Sequence, residues 1–278
     1  MTPMLVCAAL LLAGLVAGGW WSRLEFQRPD PHAELTASVV TKRFIWYVAL
    51  TISGGIFAGI TVIGGGGRLA MRLLAVTAGD NAQGRLTEAH ETVGEITVDG
   101  TIAFVLFNGI FGGVALAALY LLVRRFLPPR WIGGATFGVG LLIVGGTTVD
   151  PLRSDNRDFD IVGPGWLALL VFVALGLAFG VVLSGVMAAL SRWLPLLRAD
   201  RRIVIRYLVP GLLAVVAFSA TAIAVIIGLA AIALTRSQRV VEAVRSHRWV
   251  TAGRVLGILI ILIALPNAIS AFVGIGTR

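Results

Sequence analysis

Apolar and charged positions separate along this chain into long blocks. Seven stretches run without any Asp, Glu, Lys or Arg: Met1–Ser22, Phe44–Gly67, Gly100–Val123, Trp131–Val149, Ile161–Ser191, Tyr207–Thr235 and Val255–Thr277. A helix needs about 20 apolar residues to cross the ~30 Å hydrocarbon core, and all seven stretches meet that length. Lipid offers no partners for backbone N–H and C=O groups, so only helices or closed barrels cross it. Barrel strands would be short and alternating, and these runs are neither. We therefore expect an all-α fold, a polytopic transmembrane helical bundle forming a single integral membrane domain over 1–278. Its seven predicted spans are approximately 3–22, 44–67, 100–123, 131–149, 163–191, 207–235 and 255–277.

The aromatic residues mark the same boundaries. Trp20, Trp21, Trp46, Trp131, Trp166, Trp193 and Trp249 all fall at or near the ends of runs, as do Tyr47, Tyr120 and Tyr207. Indole and phenol rings prefer the headgroup level, where an apolar body and a polar tip are both satisfied.

Composition agrees: 58% of the 278 residues are hydrophobic and 13% charged, where soluble domains carry about a quarter charged residues. The mean hydropathy is +0.93. A soluble enzyme, a disordered chain and a nucleic-acid-binding domain are excluded. The net charge of +9 would suggest an anionic polymer in a soluble protein. Here the basic residues lie between apolar runs and report topology. We expect no nucleic-acid partner, only the bilayer itself and anionic lipids at the basic cytoplasmic loops. A membrane-protein partner or a homo-oligomer is also compatible with the pattern. Lys42 is the single lysine, which points to a GC-rich, bacterial coding sequence and hence to the inner membrane.

Orientation follows from the positive-inside rule. With the N-terminus outside, the cytoplasmic segments hold Arg23, Arg28, Lys42, Arg43, Arg124, Arg125, Arg130, Arg192, Arg198, Arg201, Arg202 and Arg206. The first two outer loops hold only Arg68, Arg72, Arg85, Arg153 and Arg157. Residues 236–254 disagree, because alternation places Arg236, Arg239, Arg245, Arg248 and Arg254 outside. Either the rule is overridden there or the 207–235 run does not cross once. Val240, Val241 and Val244 beside Arg239, Glu242 and Ser246 suggest a short amphipathic helix on a membrane surface. The N-terminus has no basic region and no cleavage pattern, so the first run is read as retained. Cys7 reads as an inert buried thiol.

Two stretches resemble each other. One ends its span at Arg125-Phe126-Leu127-Pro128, the other at Arg192-Trp193-Leu194-Pro195. Gly79-Asp80-Asn81 and Ser154-Asp155-Asn156 lie in the outer loops before them. Spans 2–3 and 4–5 thus read as a parallel duplication of helical hairpins, set against the alternative that apolar helices resemble one another by composition. The stretches Arg68-Leu-Ala-Met-Arg-Leu-Leu-Ala and Leu86-Thr-Glu-Ala-His-Glu-Thr-Val-Gly-Glu-Ile-Thr, with Asp150-Pro151 and Asp158-Phe159, resemble uncharacterised multi-pass membrane proteins of high-GC bacteria over about residues 45–195. That resemblance implies no activity.

Within the runs Cys7 is the only ionisable residue besides boundary tyrosines, which disfavours proton-coupled pumps and voltage sensors. The histidines, His32, His90 and His247, lie in loops, and no Walker A or His-Glu-x-x-His pattern occurs. We assign no catalytic residue, metal or cofactor. Asn108 and Asn267 are the intramembrane polar candidates, more often packing glue than ligand groups. Gly109, Gly112, Gly113, Gly133, Gly134, Gly138 and Gly140 allow close helix approach.

The outer face supplies the other candidates. Gly64–Gly67 is expected to end or bend span 2, with Arg68 and Arg72 following on one helical face. Glu88, Glu91 and Glu95 have helical spacing, with His90 between and Asp99 after. A salt-bridged cap is the preferred reading, and a divalent metal on these oxygens the sharper one. Asp150, Asp155, Asp158 and Asp160 crowd the second outer loop. The best functional reading is a transporter or channel-like protein for a small or amphiphilic solute. The alternative is a non-catalytic subunit or assembly partner of a larger membrane complex. A third is an outer-face enzyme acting on lipids, which requires Glu91, Glu95, Asp155 and Asp158 to converge.

Overall fold

The computed structural model describes residues 2–29, 36–198, 200–218 and 247–278, with residues 222, 225, 226 and 229. Over these residues the fold is helical, with one isolated bridge between Leu86 and Thr92. Its main helices are α1 (Thr2–Trp21), α2 (Ala37–Thr77), α3 (Val98–Val123), α4 (Arg130–Gly146), α5 (Gly165–Trp193), α6 (Arg201–Val216) and α7 (His247–Gly276). Five are long and apolar enough to cross a membrane: α1, α2, α3, α5 and, from Arg248, α7. The helix α4 is apolar but shorter. Residues 219–235 of the 207–235 run, apart from 222, 225, 226 and 229, and the amphipathic pattern at Val240, Val241 and Val244 lie outside the described residues, as does His32.

Glycines set the architecture. In α2, Gly55 and Gly59 lie four apart, and in α3 Gly109 and Gly113 do the same. A Cβ on Gly55 would sit 2.6 Å from the Val114 Cα, and one on Gly59 would overlap the Gly109 carbonyl oxygen. The second hairpin repeats the device. Gly134 and Gly138 of α4 face Gly176 and Gly180 of α5, again with backbone against backbone. In lipid, helices associate through such van der Waals contact, because the tails are as apolar as leucine.

Three helices, α2, α3 and α4, contain π-helical turns, over Gly59–Gly66, Val105–Gly112 and Leu142–Gly146. Of the two expectations for Gly64–Gly67, that they end span 2 or bend it, the first is overturned. The helix continues through right-handed backbone to Thr77. Neighbours hold these glycines: a Cβ on Gly65 would lie 2.8 Å from the Cys7 carbonyl oxygen, and one on Gly66 2.6 Å from Leu175. Tertiary contact here outweighs the helix-breaking tendency of glycine. Cys7 is fully buried in this seam.

The direction of α7 corrects the seven-span topology. Gly253 packs on Phe126, and the Arg254 Nε donates to the Phe126 carbonyl (3.2 Å) at the end where α3 finishes. At the other end the Arg278 carbonyl accepts from Gly165 N–H (3.4 Å), where α5 begins. So α7 runs from the arginine-rich end back to the end holding the α1 N-terminus, opposite to a seventh span by alternation. Arg248 and Arg254 then join the other arginines, and the disagreement with the positive-inside count disappears for them.

Candidate functional site

The outer-loop candidates divide. Arg68 and Arg72 sit on α2 as expected. The Arg72 Nη1 donates to the Gly94 carbonyl (3.3 Å), and the Arg68 guanidinium lies 5.4 Å from the Phe104 ring centroid. Neither makes an ion pair with a described carboxylate. The helix expected through Glu88, Glu91 and Glu95 is instead a tight loop. Thr87 N–H donates to the Glu91 carbonyl and Glu91 N–H to the Thr87 hydroxyl (3.0 and 3.1 Å). His90 takes a left-handed φ of 58° at the turn. Threonine side chains compete in this way for backbone groups a helix would use. The three carboxylates therefore do not share a face, and Glu91, Glu95 and His90 are exposed.

Glu88 joins the two outer loops. Its carboxylate meets the Arg153 Nη2 at 2.7 Å and accepts from the Arg157 N–H (3.0 Å), while its own N–H donates to Asp158 (2.7 Å). Asp155 lies 3.8 Å from Arg153. Asp160 pairs with Arg278 at 3.1 Å, and Arg278 also donates to the Ser154 and Asn156 carbonyls. Asn156 is buried and organises the loop, donating to the Pro151 carbonyl and accepting from Asp158 N–H. Asp99 lies in the first turn of α3, where the helix dipole favours a negative charge. The expected cap of Arg68 and Arg72 on these carboxylates does not form among the described residues; the outer-loop ion pairs run instead through Glu88, Arg153 and Arg278. Among the described residues no three His, Cys, Asp or Glu side chains are grouped as metal ligands.

Asp150 stands beside this clasp. Burial raises its carboxyl above the usual range, Arg153 opposes that, and Asp158 and Glu88 add to it. A raised folded-state value means that the native protein binds the proton more tightly than the unfolded chain. Stability from this group is therefore greatest at acid pH and is lost as pH rises through the raised value. Asp150→Asn is expected to flatten that part of the curve, seen by following the thermal midpoint against pH.

The intramembrane amides also divide. The Asn267 Nδ2 donates to the Thr147 carbonyl (3.2 Å), tying α7 to the end of α4. Asn108 lies near the middle of α3, exposed on the outside of the bundle beside Phe107, which is 65% exposed. No described group hydrogen-bonds its side chain. One turn on, no described atom lies within 4 Å of a Cβ built on Gly112.

At the arginine-rich end, a cavity of about 280 Å³ lies between the segment after α1, the α3–α4 turn and α5. Arg28, Arg124, Arg125 and Arg130 line it, with Glu25 the one carboxylate among the described lining residues. Glu25 pairs with Arg130 at 2.8 Å. The Arg124 guanidinium stacks 3.3 Å from the Phe26 centroid, and Phe26 rests edge-on against Trp46. Trp46 is fixed by its indole N–H, which donates to the Leu194 carbonyl (2.6 Å). Burial, aided by Arg28 and opposed by the Tyr120 and Tyr47 hydroxyls, pushes the Arg124 guanidinium down to about 10. Arg125 is also lowered, first by burial and then by Arg28. Sequence reasoning counted these arginines only as topology. The usable signal was their convergence from two segments flanking aromatic residues.

Comparison with protein-family models, with curated proteins and with solved structures finds no match.

Proposed function

We propose that this chain is a multi-pass protein of the bacterial cell membrane, with its N-terminus outside, that serves as a non-catalytic subunit or assembly partner of a membrane complex. The observation carrying this reading is Asn108. An amide exposed near mid-span has, among the described residues, no partner for its two donors and its acceptor, a costly arrangement in hydrocarbon. A neighbouring helix removes that cost, and the open surface over Gly112 lets such a helix approach closely.

The transporter reading has less support, because Asn267 and Gly109, Gly113, Gly134 and Gly138 are engaged in helix contacts rather than left to line a passage. The outer-face enzyme needed Glu91 and Glu95 to converge with Asp155 and Asp158, and among the described residues no such grouping of three or more acidic side chains occurs. The duplication of spans 2–3 and 4–5 draws support from the shared glycine pairing. It also draws on the two span exits, where Arg254 and Arg206 donate to the Phe126 and Trp193 carbonyls.

Extraction of the native membrane into nanodiscs, followed by mass photometry, tests the proposal. The expected particle holds more than one 29.3 kDa chain's mass of protein, and Asn108→Leu with Gly112→Leu returns it to the monomer. A wild-type monomer overturns the reading.

A further inference from the structure

The cavity at the arginine-rich end is lined by an excess of basic side chains among the described residues. Arg28, Arg124, Arg125 and Arg130 line it, and among the described lining residues Glu25 is the one carboxylate, engaged by Arg130. Among the described residues neither Arg28 nor Arg124 has an acidic partner. Arg124 is also held rather than free. Phe26 lies under its guanidinium plane, and Trp46 holds Phe26 from the side. A half-buried, stacked guanidinium presents its N–H fork in a fixed direction, which suits two oxygens of a tetrahedral anion.

The surrounding backbone has the same sign. The helix α4 starts at the rim after Pro128 and Pro129, and no side chain caps its first turn. Its free N–H groups and positive dipole end favour an anion. The volume is close to the lower end of ligand pockets, roughly 300–1,000 Å³. It lies where α3 ends and α4 begins, lined by Tyr120 and by Phe26, which rests on Trp46.

We propose that this cavity is a phosphate-binding site in which Arg124, stacked on Phe26, and Arg28 hold the anion. The phosphate reaches it either as the headgroup of an anionic phospholipid from the adjacent leaflet or as a free ion. The site is independent of the assembly reading, since it uses none of the residues on the Asn108 face.

Two arms test it with the full chain. In phosphatidylcholine nanodiscs doped with phosphatidylglycerol, native mass spectrometry reads the lipid retained per chain. In phosphatidylcholine alone, the thermal midpoint is read with sodium phosphate against sodium chloride at matched ionic strength. Arg124→Gln and Arg28→Gln are each expected to weaken retention or phosphate stabilisation roughly tenfold or more, the scale of a charged hydrogen bond. Arg124→Lys falls between, because it keeps the charge and loses the fork. Arg201→Gln, which removes one charge outside the cavity, leaves both readouts unchanged. A response in the first arm assigns the lipid headgroup, and a response in the second the free ion. Because Arg28 is exposed and lies outside the helices, its variant remains interpretable even if Arg124→Gln fails to fold. Equal behaviour of wild type and Arg28→Gln in both arms, or loss in Arg201→Gln to the same degree, overturns the proposal.

Discussion

Gly59→Ala and Gly180→Ala are expected to destabilise the bundle by about 3 kcal/mol each, near the upper part of the usual overpacking range. At both positions the added methyl group would meet a backbone carbonyl of the facing helix, Gly109 for Gly59 and Gly134 for Gly180. A flexible side chain could rotate away, but a carbonyl within a helix cannot move without displacing the helix. Gly140→Ala and Gly257→Ala supply the contrast. No described atom lies within 4 Å of either added Cβ, and alanine is the better helix former by up to about 1 kcal/mol. Those two variants should be neutral or slightly stabilised. Thermal melts in a mild detergent measure all four, and equal losses at all four would show that the hairpins are not held by glycine contact.

The direction of α7 gives the second large effect, because labelling is close to all-or-none. In a Cys7→Ser background, Asp155→Cys and Thr277→Cys should react from the same side of intact cells with a membrane-impermeant maleimide. Arg248→Cys should react only after permeabilisation, together with Arg23→Cys. Seven alternating spans require the opposite pairing, with residue 277 on the side of residue 23. That outcome would invert the helix described here and separate Arg278 from Asp160.

Much of this molecule was legible in one dimension. The transfer of apolar side chains out of water is additive along the chain, so charge-free runs locate α1, α2, α3, α4, α5 and α7 without tertiary information. The clasp was legible in kind but not in its members. Interfacial charges pair, and pairing was expected for the outer loops. Which charges meet depends on the loop conformation: Thr87 caps a turn, His90 turns left-handed, and Glu88 is delivered to Arg153 while Glu91 is not. Arg278 could not be anticipated, because its place beside Asp160 depends on the direction in which α7 crosses.

The chain order of apolar and basic residues determined by itself that this is a helical membrane protein, and it marked the ends of most spans. Partition into lipid acts on each segment almost independently of its neighbours. The tertiary structure alone decided that Gly64–Gly67 continues a helix, that α7 runs toward the N-terminal end, and that Arg28 and Arg124 share a cavity. Those outcomes depend on distances between segments far apart in sequence. Close packing and charge pairing act through space, and no periodicity along the chain encodes them.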